Sequence, residues 1–133
     1  MIPRFDDHGY LPPGLHPATL DEIESRFGKQ TALRRDQMES LRWLVDAAQR
    51  AGVSRLVVNG SFTTGALEPS DVDCVLLMSA DFPQDTIAEQ ELLAGFPFIE
   101  IQLVRQPRFE MLVENFFATD RHSIPKGMIE VLL

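Results

Sequence analysis

The sequence predicts an α/β (α+β) domain, a mixed β-sheet of three to four strands covered by helices, and three observations carry that expectation. Apolar runs bounded by turn residues, at Leu56-Val57-Val58, Val72–Met78 and Phe98–Val104, have the length and composition of buried strands. Elsewhere apolar residues recur at helical spacing, as Met38, Leu41, Val45 and Ala48 do. The resulting order is helix, strand, Gly-Ser turn, strand, helix, strand, helix, which suits helices layered on a sheet.

Residues 1–17 read as an extended Pro-rich arm. Pro3, Pro12, Pro13 and Pro17, with Gly9 and Gly14, exclude a helix there, and Phe5, Tyr10, Leu11 and Leu15 are its candidate anchors. Residues 18–133 form a single domain. Thr19 and Glu22 have the spacing of a capping box; Leu20, Ile23 and Phe27 make the stripe of a short helix, which Gly28 can end in a left-handed conformation. A longer helix spans Arg34 to Ala51, with Gly52 after its last turn.

The strand Ser54 to Asn59 follows, then the Gly60-Ser61 turn and the strand Val72 to Met78. Thr86 with Glu89 offers another capping box for a helix ending near Gly95. Phe98 to Val104 is the next strand, and Pro107 breaks the chain before a helix over Arg108 to Ala118. Its stripe of Phe109, Leu112, Val113, Phe116 and Phe117 reads as core rather than as a base-stacking platform. The tail Met128 to Leu133 is a last strand or docks on the sheet.

Composition narrows the function. With 133 residues the chain can bury about two thirds of its unfolded surface. A net charge of −8 argues against direct nucleic-acid binding, which needs clustered Lys and Arg. No apolar run approaches the roughly 18 residues of a membrane span. Cys74, the single cysteine, excludes an internal disulfide and reads as a small buried hydrophobe; a reducing, cytoplasmic setting is the expectation. His8, His16 and His122 lack the spacing of a zinc site.

The chemistry concentrates between Asn59 and Cys74. Asp71 and Asp73, two apart on a strand, point the same way at the mouth of an apolar run. At about 4 Å and an effective dielectric near 20, two such carboxylates repel by roughly 4 kcal/mol. A divalent cation between them would remove that cost; two acids capping a strand after Pro69-Ser70 is the plainer alternative. Gly60-Ser61 by itself is common turn chemistry. Glu100, flanked by apolar neighbours, is by itself an edge residue facing water.

Taken together, Gly60-Ser61, Asp71-Val72-Asp73 and Glu100 resemble the signature of the DNA polymerase β-like nucleotidyltransferase superfamily. Its members carry a Gly-Ser turn, an Asp-x-Asp/Glu pair about ten residues on, and a third acid in a later strand. The chain is most similar to the minimal nucleotidyltransferases, short bacterial proteins, and the opening Phe5–Gly14 resembles a small uncharacterised bacterial family placed in that superfamily.

The resemblance implies transfer of a nucleoside monophosphate from a nucleoside triphosphate to a protein or small acceptor hydroxyl, with Mg²⁺ or Mn²⁺ as cofactor. Asp71, Asp73 and Glu100 would be the metal-holding and catalytic acids, and Gly60 and Ser61 would hold the β- and γ-phosphates. Two departures stand out. Thr64 occupies the place of an arginine common in the minimal enzymes, and Glu100 stands where many relatives carry Asp. The alternative is therefore a catalytically weak or inactive binding module, an antitoxin-like partner of a separately encoded toxin.

Overall fold

The computed structural model describes residues 1–133. The chain runs β1 (Leu15–Ala18), α1 (Leu20–Phe27), α2 (Ala32–Ala51), β2 (Val53–Asn59), a 3₁₀ turn (Ser61–Thr63), β3 (Val72–Met78), α3 (Thr86–Ala94), β4 (Ile99–Val104), α4 (Arg108–Met111) continuing as a π-helical turn (Leu112–Phe116), and β5 (Met128–Val131). The α/β expectation holds, but the sheet has five strands, in the order β1-β5-β2-β3-β4. β1 lies parallel to β5, β2 is antiparallel to both β5 and β3, and β4 is parallel to β3. The strand added at one edge comes from the end of the Pro-rich arm: Leu15, His16 and Pro17 pair with Met128, Ile129 and Glu130. Pro17 costs little on an edge strand, where one side of the ladder needs no donor.

Alternation along the strands sorts side chains onto two faces. Leu56, Val58, Val72, Cys74, Leu76, Ile129 and Val131 meet Ile23 and Phe27 of α1, Met38, Leu41 and Leu44 of α2, and Ala88 and Leu92 of α3 in the larger core. Val57, Val75, Leu77, Val104 and Met128 face the opposite way and pack under Phe109, Leu112 and Val113. That second cover is short. Past it only Phe116 and Phe117 flank the β3 and β4 ends nearest Gly60 on this face, and the site lies there.

Local signals explain the boundaries. Thr19 and Glu22 do form a reciprocal capping box. Thr31 caps α2 by accepting from Arg34 N–H at 3.1 Å, so this helix starts two residues before Arg34, and Gly52 ends it in a left-handed conformation with φ 95°. Gly28 does not adopt that conformation; its φ is −101°, and its lack of a side chain instead admits Met38, whose Cγ would lie 2.7 Å from a Cβ. At α3 the cap is Asp85, accepting from Ile87 and Ala88, one residue earlier than the Thr86–Glu89 box. A carboxylate one residue upstream reaches those N–H groups and also favours the helix dipole.

The helix expected over Arg108 to Ala118 is a single α turn followed by the π-helical turn. Its wider winding takes Phe116 off the stripe of Phe109, Leu112 and Val113. Phe109 is buried, whereas Phe116 is 69% exposed and meets Phe117 edge-on at 4.9 Å between ring centres.

Candidate active site

β3 and β4 place the acids. Asp73 is the register partner of Glu100 in the parallel pair, and partners in a ladder share a face. Both lie on the face carrying Val75 and Leu77, away from α1 and α2. Their carboxyls come within hydrogen-bonding reach of each other, so one can donate to the other when protonated. Burial first, then Glu100, then the charge of Asp71 push Asp73 up to about 7, while Lys126 pulls it down. Asp71 is exposed, just before β3 begins, and acts on Asp73 through charge alone. The structure thus brings Asp73 and Glu100 into contact and leaves Asp71 at the rim. With the side chains as they stand, no three His, Cys, Asp or Glu groups converge tightly enough to hold a metal ion.

Gly60 forms the corner of the site. Its φ of 84° lies in the left-handed region, and a Cβ there would overlap Asp73 Oδ2. Glycine is needed twice over, for backbone freedom and for the approach of that carboxylate. Only the single 3₁₀ turn Ser61–Thr63 follows it. Ser61 Oγ accepts from Ser70 N–H at 3.2 Å, which leaves its own O–H free to donate.

Arg34 holds this loop from behind. Nearly fully buried, it has no carboxylate partner and donates to carbonyls: Phe27 O at 3.0 Å, Phe62 O at 2.8 Å, Thr64 O at 2.8 Å and Ala66 O at 3.0 Å. Burial lowers its pKa from the usual arginine value. Gln37 adds a bond to Pro69 O at 2.9 Å. The segment between the Gly-Ser turn and the acids is therefore pinned to α2 by side chains that bond its backbone.

The sequence gives no sign of Asn59 at the site, and it leaves Lys126 and the N-terminal arm without a place in space. Asn59, the register partner of Asp73, is completely buried; its Nδ2 donates to Phe117 O at 3.5 Å and its Oδ1 has no partner. Lys126, whose place in space spacing alone does not give, reaches the Gly-Ser corner. So does the arm, through His8 and Tyr10. A small opening of about 260 Å³ is lined by Asp73, Cys74, Glu100, Gln102, Phe116 and Phe117. The π-helical turn thus contributes aromatic walls to a polar pocket. The Cys74 side chain packs in the larger core on the opposite face, its thiol pushed up by burial.

Compared with known proteins, residues 3–132 match the model of a family described as "Family of unknown function (DUF6932)". No curated protein and no solved structure matches the chain.

Proposed function

The chain belongs to this family of unknown function, and from its site we propose that it is a metal-dependent nucleotidyltransferase that moves a nucleoside monophosphate from a nucleoside triphosphate to an acceptor hydroxyl on a protein or small molecule. The observation that carries the reading is the Asp73–Glu100 contact on the open sheet face, set against a glycine corner that only a residue without a side chain can form. The donor set suits Mg²⁺ or Mn²⁺: carboxylate oxygens are the ligands those ions prefer. Burial first, then the neighbouring acids, hold Asp73 up to about 7, a cost that a cation would relieve, and Asn59 Oδ1 is a buried oxygen beside it that lacks a partner. Asp73 and Glu100 would hold the ion, and Asp71, apart from them at the rim, would act through its charge. Its chemistry there would be to neutralise charge on the attacking and leaving oxygens.

The residues have separate tasks. Glu100, exposed on edge strand β4, accepts the proton of the acceptor hydroxyl as the new O–P bond forms at the α-phosphate. The bond from the α-phosphorus to the bridging oxygen breaks, and pyrophosphate leaves from the side of Gly60 and Ser61. Arg34 keeps the Gly-Ser loop in place without touching substrate. One specific observation favours the alternative of a non-catalytic, antitoxin-like binding module: Asp71 stands apart from the Asp73–Glu100 pair. Incubation with α-labelled nucleoside triphosphates and Mg²⁺ or Mn²⁺ decides between them, because only an enzyme transfers label.

A further inference from the structure

The Gly-Ser turn of this chain carries no basic residue: Gly60 to Ala66 is without Lys or Arg, and Thr64 turns inward, its Oγ1 donating to Ser61 O at 2.7 Å. A nucleoside triphosphate tail needs positive charge at this point, and the structure supplies it from far along the chain. A cavity of about 550 Å³ opens beside Gly60, lined by His8, Tyr10, Ser61, Thr64 and Lys126 among others. In a protein with 20 acidic residues, no Asp or Glu lines it. Lys126 is half-buried and enters no salt bridge.

We propose that Lys126 is the charged anchor for a polyphosphate ligand in this cavity, and that the arm over Asp6–Pro12 is the wall that aims it. The inference rests on the nucleotidyltransferase reading for the identity of the ligand, a nucleoside triphosphate. The lacing is specific. Tyr10 Oη donates to Asp120 Oδ2 at 2.7 Å, Gly127 N–H donates to Leu11 O at 2.8 Å, and Lys126 N–H donates to Ala118 O at 2.9 Å. Asp120 Oδ1 in turn accepts from His122 and Ile124 N–H, closing the loop that leads to Lys126. A Cβ at Gly127 would overlap Pro12 O, so arm and loop are packed backbone against side-chain-free backbone. The peptide groups on both sides of the Lys126 Cα are thereby fixed, and its ammonium, which acts on Asp73 through charge but forms no salt bridge, is left for a ligand. Ser61 contributes a hydroxyl donor and Gly60 an approach free of side chain.

Calorimetry with ATP, inorganic tripolyphosphate and orthophosphate, each without divalent cation, tests this on the full chain. Wild type is expected to bind ATP and tripolyphosphate, with orthophosphate much weaker. Lys126→Ala should weaken both by at least about tenfold, the loss expected of a charge-assisted hydrogen bond, and Lys126→Arg should restore most of it. Tyr10→Phe, which keeps the ring and removes the bond to Asp120, should weaken binding less than Lys126→Ala does. Asp73→Asn should bind tripolyphosphate at least as well as wild type. Wild type that binds neither polyphosphate, or Lys126→Ala that melts like wild type and binds equally well, overturns the proposal. Binding that depends on Lys126 with no transfer of label supports the anchor and refutes the enzyme.

Discussion

Asp73 and Glu100 are register partners on adjacent parallel strands, and their carboxyls meet on the sheet face that α1 and α2 leave free. Burial of Asp73, together with the closeness of Glu100, makes its ionised form unfavourable. Folding tolerates this because both lie at the strand ends, with Glu100 open to water.

The first consequence is a pH dependence of stability. An unfolded Asp titrates near 3.9, and folded Asp73 near 7. Between those values the native state binds more protons than the unfolded chain, so its contribution to stability falls as pH rises from about 4 to about 7 and is flat above that. Urea denaturation of the metal-free protein across this window should show the decline. Asp73→Asn should flatten it, and Mn²⁺ added at pH 8 should restore stability to wild type alone. Equal slopes in wild type and Asp73→Asn would remove the contact from consideration.

Gly60→Ala introduces a methyl group where Asp73 Oδ2 lies and places a side chain at φ 84°. Backbone strain of this kind costs about 1–3 kcal/mol. The larger effect is expected on function: a displaced Asp73 should lose label transfer, while circular dichroism at 20 °C or so remains native in form. Ser61→Ala, with no such clash, should keep the fold and weaken only nucleotide affinity.

Arg34 and Arg55 give a contrast of mechanism. Arg55 makes a two-pronged ion pair with Glu130 at 2.7 Å for each contact, yet its side chain is 39% exposed. Arg55→Met should cost no more than about 1 kcal/mol. Arg34 has no ion pair, but Arg34→Met removes the donor to the buried carbonyls of Phe27 and Phe62 and to the partly buried ones of Thr64 and Ala66. About 3 kcal/mol is the expected loss, on the scale of one or two unsatisfied buried groups, with the loop from Gly60 to Ala66 disordered first. Chemical denaturation of both variants checks the ranking. The reverse order would mean that the loop finds water in place of the guanidinium.

Local patterns were the legible part of this chain. The bounds of β3, the Thr19 cap and the face shared by Asp73, Val75 and Leu77 all follow from neighbours in sequence. What depended on distant pairing was not legible. The partnership of β1 with β5 joins residues at opposite ends of the chain, and no run of apolar residues announces a strand as short as Leu15–Ala18. Lys126 became part of the site only through the Leu11–Gly127 and Tyr10–Asp120 bonds. Arg34 read as an ordinary helix-start residue, because nothing in its neighbourhood shows that a loop some thirty residues later needs its donors. The π-helical turn escaped because the apolar stripe of Phe109 to Phe117 fits an α-helix equally well.

Transfer of the α-phosphate tests the account most directly. With α-labelled ATP, GTP, CTP or UTP and Mn²⁺, wild type is expected to place label on an acceptor, itself or a protein in a lysate, and to release pyrophosphate; Asp73→Asn and Glu100→Gln should do neither. Labelling that persists undiminished in both variants, or wild type that labels nothing with any of these nucleotides, would contradict it.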